Sequence, residues 1–313
     1  MGKPFNYGGQ AVIEGVMMRG RKHLTMAVRA PNGEITLHTE PLNPRIYSSF
    51  INKVPFVRGF TLLWDTLGLG MRMLMMSANI AMGEEEEVNF SGPMAWGSVA
   101  VSLTLAVAIF FIAPLALISL LLLFVEIPLV LQHVIEGCIR LALFLGYVWA
   151  IGYIDDIKRV FAYHGAEHKA INAYEQGVEL TPEKVSHCTT VHPRCGTAFL
   201  LIVMVISIFV FALAGNPALW LKIVSRIVLI PVIAGIAYEF LKFSAAHQQN
   251  PLIKVLIAPG LALQSLTTRE PDLSMLEVSI AALKKLLVEE KLAAEVEALA
   301  VSEGLPVPGP ASS

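Results

Sequence analysis

Residues 88–125 read VNFSGPMAWGSVAVSLTLAVAIFFIAPLALISLLLLFV, 38 residues without a single Asp, Glu, Lys or Arg. A hydrocarbon core of about 30 Å is crossed by roughly 20 apolar residues. As one helix this run would extend about 57 Å, too far for a single crossing. It must therefore fold back, and Glu126-Ile127-Pro128 supplies the turn. This stretch decides the class: a mainly α integral membrane protein.

Working outward, the first span covers about Ala95 to Leu120 and the second about Leu131 to Ile154, making a hairpin over 88–154. A second uncharged run, Gly196 to Leu221, opens another hairpin over 198–243. Its spans are expected at about Ala198–Leu213 and Leu219–Phe243, joined by a turn at Asn216-Pro217. The expectation is thus about four transmembrane helices. Glu136 and Arg140 fall inside the second span at i, i+4, the favourable order for a helical ion pair. Charges at membrane depth are paired or functional, and pairing is the simpler reading here.

The whole chain agrees. Of its 313 residues 55% are hydrophobic and only 15% charged, with a mean hydropathy of +0.63. Soluble domains carry about 25% charged residues. Net charge is −2, so no global basic field argues for nucleic acid. Three cysteines are too few for a disulfide framework. The opening MGKPFNYGGQAVIEG lacks the shape of a cleaved signal peptide.

Residues 1–45 read as a small β-rich region: strand-like runs 25–30 and 34–39 flank the turn signal Pro31-Asn32-Gly33. Residues 46–87 hold an amphipathic segment, either interfacial or packed on the protein's own core, then the acidic linker Glu84–Glu87. Residues 155–197 form a polar, His/Cys-rich loop. Residues 244–301 combine polar loops with an amphipathic helix, and 302–313 form a Pro/Gly/Ser-rich disordered tail. Nine Lys and Arg lie in the first 94 residues and five in the central loop. The positive-inside rule then places both termini and that loop in the cytoplasm, with the chain a multi-pass protein of the inner (plasma) membrane. That compartment is reducing, which argues against a Cys188–Cys195 disulfide.

The chemistry gathers in residues 163–197, where four of eight histidines and two of three cysteines fall. His164-x-x-Glu167-His168 is an H-x-x-E-H pattern. On a helix, i and i+4 bring both imidazoles to one face, close enough for one Zn²⁺ or another divalent metal. Glu167 is then placed to serve as a general base toward water. Such a site needs a third ligand from elsewhere, and the candidates are Glu239, His192, Cys188 and Cys195. The competing reading is a closed structural zinc site made from the same histidines and cysteines. The loops 247–251 and 267–272 read as solvated segments with a lesser prospect of touching substrate. The glycines of 8–20 follow no strand–helix pattern and make a poor phosphate loop.

Five motifs, GGQAVIEGVMMRG (8–20), YHGAEHK (163–169), HPRCGT (192–197), YEFLK (238–242) and TTREPD (267–272), together span about residues 5–275. In them the chain resembles the YqhQ-like family of uncharacterised bacterial membrane proteins, described as predicted metal-dependent enzymes. The resemblance implies a multi-span membrane fold and a metal site at His164, Glu167 and His168, and it implies no substrate. The function expected is a membrane-embedded, metal-dependent hydrolase at the cytoplasmic interface. The alternative is a non-catalytic subunit or assembly factor of a membrane complex with a structural metal. Membrane lipids are the expected partners, with a membrane protein or a second copy of the chain as further ones.

Overall fold

The computed structural model describes residues 7–43, 54, 56–83, 93–213, 215, 219–247 and 249–302. The Glu84–Glu87 run, the Asn216-Pro217 turn and the tail from 303 lie outside the described residues.

Four strands come first: β1 Gly8–Val12, β2 Gly15–Arg19, β3 His23–Arg29 and β4 Ile35–Pro41. They form one antiparallel sheet in the order β1-β2-β3-β4. The 31–33 turn closes the β3–β4 hairpin as expected, with Arg29 opposite Ile35. Successive side chains of a strand alternate between faces. Val16, Met18 and Ala27 therefore point one way, and Val12, Met17, Leu24, Met26 and Val28 the other. Both sets are buried, so the sheet is covered on both sides.

Helix α1 (Val57–Met82) covers the second face through Met73, and Ser77 Oγ accepts the Ile13 N–H at 3.1 Å. Of the two readings of this amphipathic segment, packing on the protein's own core describes these contacts. The first face is covered by α5 (Asp155–Glu175) and α10 (Leu273–Ser302). From α10 come Leu276, Leu283 and Leu286, all fully buried. Each such aliphatic side chain contributes about 1.5–3 kcal/mol of transfer free energy.

Among the described residues three helical stretches are long and apolar enough to cross a membrane: Ala100–Leu121, Leu129–Ile151 and Gly196–Leu213. The first is built of α2 (Pro93–Val107), a π-helical turn (Ala108–Ile112) and α3 (Ala113–Leu121). The second is α4, and the third is α7. Between α3 and α4 the chain turns over residues 122–128, where the Glu-Ile-Pro signal lies. Helix α8 (Leu219–Ala246) follows. It carries Lys222, Arg226, Glu239 and Lys242, which leave only residues 227–238 uncharged.

Two segments differ from expectation. Residues 155–197 contain more helix than loop, since α5 takes the first half and the short α6 (Pro182–Val185) follows. The reason is a helical-period apolar stripe: Ala162, Ala166, Ala170 and Ala173 all bury against the sheet. Residues 251–267 are also helical, as α9 (Pro251–Thr267). Pro251, at the end of the expected 247–251 loop, occupies the helix's first turn, where a missing N–H costs nothing, and the Asn250 side chain caps the Leu252 N–H.

Candidate metal centre

Helix α5 carries His164, Glu167 and His168, and the turn that leads into α7 carries Cys195. The ligand atoms of His164, His168 and Cys195 all lie within 4.8 Å of one another. His164 Nε2 is 3.2 Å from Cys195 Sγ. Each imidazole is held by its other nitrogen: His164 Nδ1 lies 2.8 Å from the Thr267 carbonyl and His168 Nδ1 2.5 Å from that of Thr190. A carbonyl only accepts, so both Nδ1 atoms carry the proton. Both Nε2 atoms then present lone pairs toward the cluster, the outer-shell arrangement found around metal-bound histidines.

Glu167 is 4% exposed, and its Oε2 lies 3.4 Å from His168 Nε2. Burial pushes its carboxyl up to about 7, against the opposing pull of His164 and of the Gly9 N–H that donates to it. Gly9 stands where β1 passes closest to α5. A Cβ there would come within 2.8 Å of Glu167 Cγ and 2.6 Å of the Met17 carbonyl. The glycine-rich opening motif thus serves this carboxylate instead of a phosphate.

The loop after α6 is tied to α5 through backbone carbonyls. Lys169 Nζ donates to Ser186 at 2.6 Å and pairs with Glu270 at 2.5 Å. Asn172 donates to Thr189 and Val191. On the other side, Gln264 of α9 exchanges hydrogen bonds with both backbone groups of His192. The 267–272 segment crosses α5 at Gly165, where the Arg269 carbonyl leaves no room for a side chain. Lys169, Asn172, Gln264, Thr267 and Gly9 escaped the sequence reading. Lys169 and Asn172 had a signal, lying one and four residues after His168 on the same helix.

The other expected ligands sit elsewhere. Glu239 faces Arg58, with bonds of 2.7 Å to Nε and 2.5 Å to Nη2, and takes the Phe56 N–H as well. That pairing gives it an occupation other than the cluster, joining α1 to α8. Cys188 is half-buried against the sheet-side core near Val185. His192 is adjacent, its ring 5.7 Å from that of His168. Its buried Nε2 has no hydrogen-bond partner among the described residues, since Glu175 at 3.7 Å is beyond reach. Burial first, then Arg194 and His168, pull this imidazole down to about 3, so it stays neutral.

The cluster lies at one end of the long apolar helices. Cys195 immediately precedes α7, while α4 ends beside the exposed aromatic pair Trp149 and Tyr153, 5.0 Å apart. Trp and Tyr are enriched at the membrane–water interfaces of membrane proteins.

Comparison with known proteins gives a family without an activity. The family model described as "Protein of unknown function (DUF1385)" matches residues 54–289. "Uncharacterized protein YqhQ" of Bacillus subtilis (strain 168) is 36% identical over 304 residues, covering 92% of this chain and 94% of that protein. No solved structure matches.

Proposed function

The chain belongs to the YqhQ-like family of unknown function, and from the geometry of its centre we propose a membrane-bound, metal-dependent hydrolase acting at the membrane–water boundary. The observation that carries this reading is the convergence of His164, His168 and Cys195 with the buried Glu167 beside them. Two imidazoles with anchored Nδ1–H groups and one thiol are a nitrogen and sulfur donor set suited to Zn²⁺. Three protein ligands would leave one position open, as catalytic sites do. A metal held there would supply Lewis acidity and lower the pKa of bound water. Glu167 then holds or passes a proton at its carboxylate, and the Gly9 N–H fixes that carboxylate in place. The Thr267 and Thr190 carbonyls keep the imidazoles oriented. Residues 155–197 and both termini are assigned to the cytoplasm, and α8 to a fourth crossing of a bacterial inner membrane.

The decisive measurement is the metal content of the purified chain beside a His164→Ala/His168→Ala variant. About one metal per wild-type chain, and close to none in the variant, is expected. Negligible metal in both overturns the proposal. Glu167→Gln should keep the metal and lose hydrolysis. A second reading, a structural metal in a non-catalytic subunit, draws on the same residues fastening the 186–192 loop and α9 to α5. Loss of metal or of the fold in Glu167→Gln would favour it.

A further inference from the structure

Around the centre each basic side chain but one faces a carboxylate. Lys158 pairs with Asp155, Arg159 with Glu14, Lys169 with Glu270 and Arg194 with Glu175. Arg269 has no carboxylate partner among the described residues. Its Nη1 donates to the carbonyls of Ser265, Leu266 and Thr268 at 3.0, 3.4 and 2.9 Å, closing the end of α9. Helix C-termini attract cations, so this half of the guanidinium has a structural use. The other half does not: Nε and Nη2 make no hydrogen bond to any described residue. The guanidinium stacks 5.8 Å from the Phe161 ring, which holds the fork in one orientation. Its Nη2 faces Gly152 at the end of α4, 3.1 Å from where a Cβ would stand. Gly152 lies one residue from Tyr153 and three from Trp149, the exposed aromatic pair.

An oriented guanidinium with two unused donors and no acid, at headgroup level, matches a phosphate oxygen pair. We propose that Arg269 binds the phosphate of a membrane phospholipid headgroup beside the candidate metal centre. This site rests on the chain's being embedded in a membrane, and it does not depend on a metal being bound. A free soluble phosphate offers the same oxygens, but the neighbouring exposed Trp149 and Tyr153 favour a headgroup anchored in the bilayer. Bound there, the lipid would hold its headgroup next to the segment whose Thr267 carbonyl orients His164.

The test uses the full chain, purified in detergent and stripped of lipid, with native mass spectrometry on added phosphatidylglycerol. Wild type should retain one lipid. Arg269→Gln should weaken its retention roughly tenfold, the worth of a charge-assisted hydrogen bond. Arg269→Lys, which keeps the charge without the fork, should fall between them. Lys158→Gln, at the same level but already paired, should match wild type. If Arg269→Gln fails to fold, Arg269→Lys carries the test alone, because an ammonium keeps the charge but cannot reproduce the two-donor fork. Equal retention by wild type and the folded variants overturns the proposal. So does millimolar inorganic phosphate displacing the lipid completely, since the site would then take soluble anions. Metal measured on the same samples separates the two readings: a metal-free chain that still binds lipid through Arg269 sinks the hydrolase and leaves this inference standing.

Discussion

The sheet with its covering helices and the three helices long and apolar enough to cross a membrane present opposite solvation problems in one chain. In the sheet region the large apolar side chains are inside, with Leu276, Leu283 and Met26 at 0% exposure. In the long apolar helices they point out, with Val130 70% and Leu213 89% exposed. Polar groups invert as well. His133, Glu136, Arg140 and Ser207 sit inside the spans, and Arg140 joins all three. Its Nη2 donates to Glu136 at 2.7 Å, its Nε to the Phe110 carbonyl in the π-helical turn at 3.0 Å, and its Nη1 toward Ser207 Oγ of α7 at 3.4 Å. Apolar burial drives assembly only where water is the alternative. Against hydrocarbon, close packing and hydrogen bonds hold helices together. Gly137 shows the packing term: a Cβ there would strike Ile208 of α7.

This contrast breaks most sharply at Arg140. Arg140→Leu removes the guanidinium from the buried Glu136 carboxylate and should cost about 3–5 kcal/mol. Glu136→Leu/Arg140→Leu together should recover most of that loss, and thermal melts in detergent read both. A double variant as unstable as the single one would show that Arg140 acts mainly through Phe110 and Ser207. On the water side, Leu283→Ala opens a cavity where α10 meets the sheet and should cost about 2–5 kcal/mol by the same melts. The identical Leu→Ala change at Leu213, on the outer face of α7, should cost far less in detergent, because no packed neighbour is lost.

The smallest effect is a pH dependence in the metal-free chain. The folded Glu167 carboxyl holds its proton up to about 7, whereas an unfolded glutamate releases it near 4.5. Between those values the folded state binds the extra proton, so Glu167 lowers stability as pH rises through that window. His192 acts oppositely, stabilising as pH rises from about 3 to 6.5, because there only the unfolded chain is charged. Between about 4.5 and 6.5 the two offset each other in the wild-type curve, and from there to about 7 Glu167 acts alone. His192 is common to both proteins, so melts in chelator should show Glu167→Gln gaining on wild type from about pH 4.5 to 7. A parallel pair of curves would contradict this.

Much of the site was legible because its signals are local. His164 and His168 needed only helical spacing, and Cys195 stood among the named donors of the neighbouring cluster. The third donor was not singled out, since choosing between Cys195, Cys188, His192 and Glu239 depends on how α7 meets α5. Glu239 was attractive by depth along its helix, yet depth says nothing of direction, and Arg58 had already taken both its oxygens. The alanine stripe of α5 was overlooked because small residues barely register on a hydropathy reading while burying completely.

From the sequence by itself came the mainly helical class, the three apolar helices long enough to cross a membrane, the 31–33 hairpin and the histidine pair. Each depends on contiguous residues, where period, length and turn chemistry act without long-range help. Only the tertiary structure decided that Gly9 of the 8–20 motif serves Glu167, that TTREPD orients His164, and which thiol lies beside the histidines. Those are contacts between segments as far apart as Gly9 and Glu167, or His164 and Thr267. They are set by how packed helices and a sheet meet, which no short window of sequence encodes.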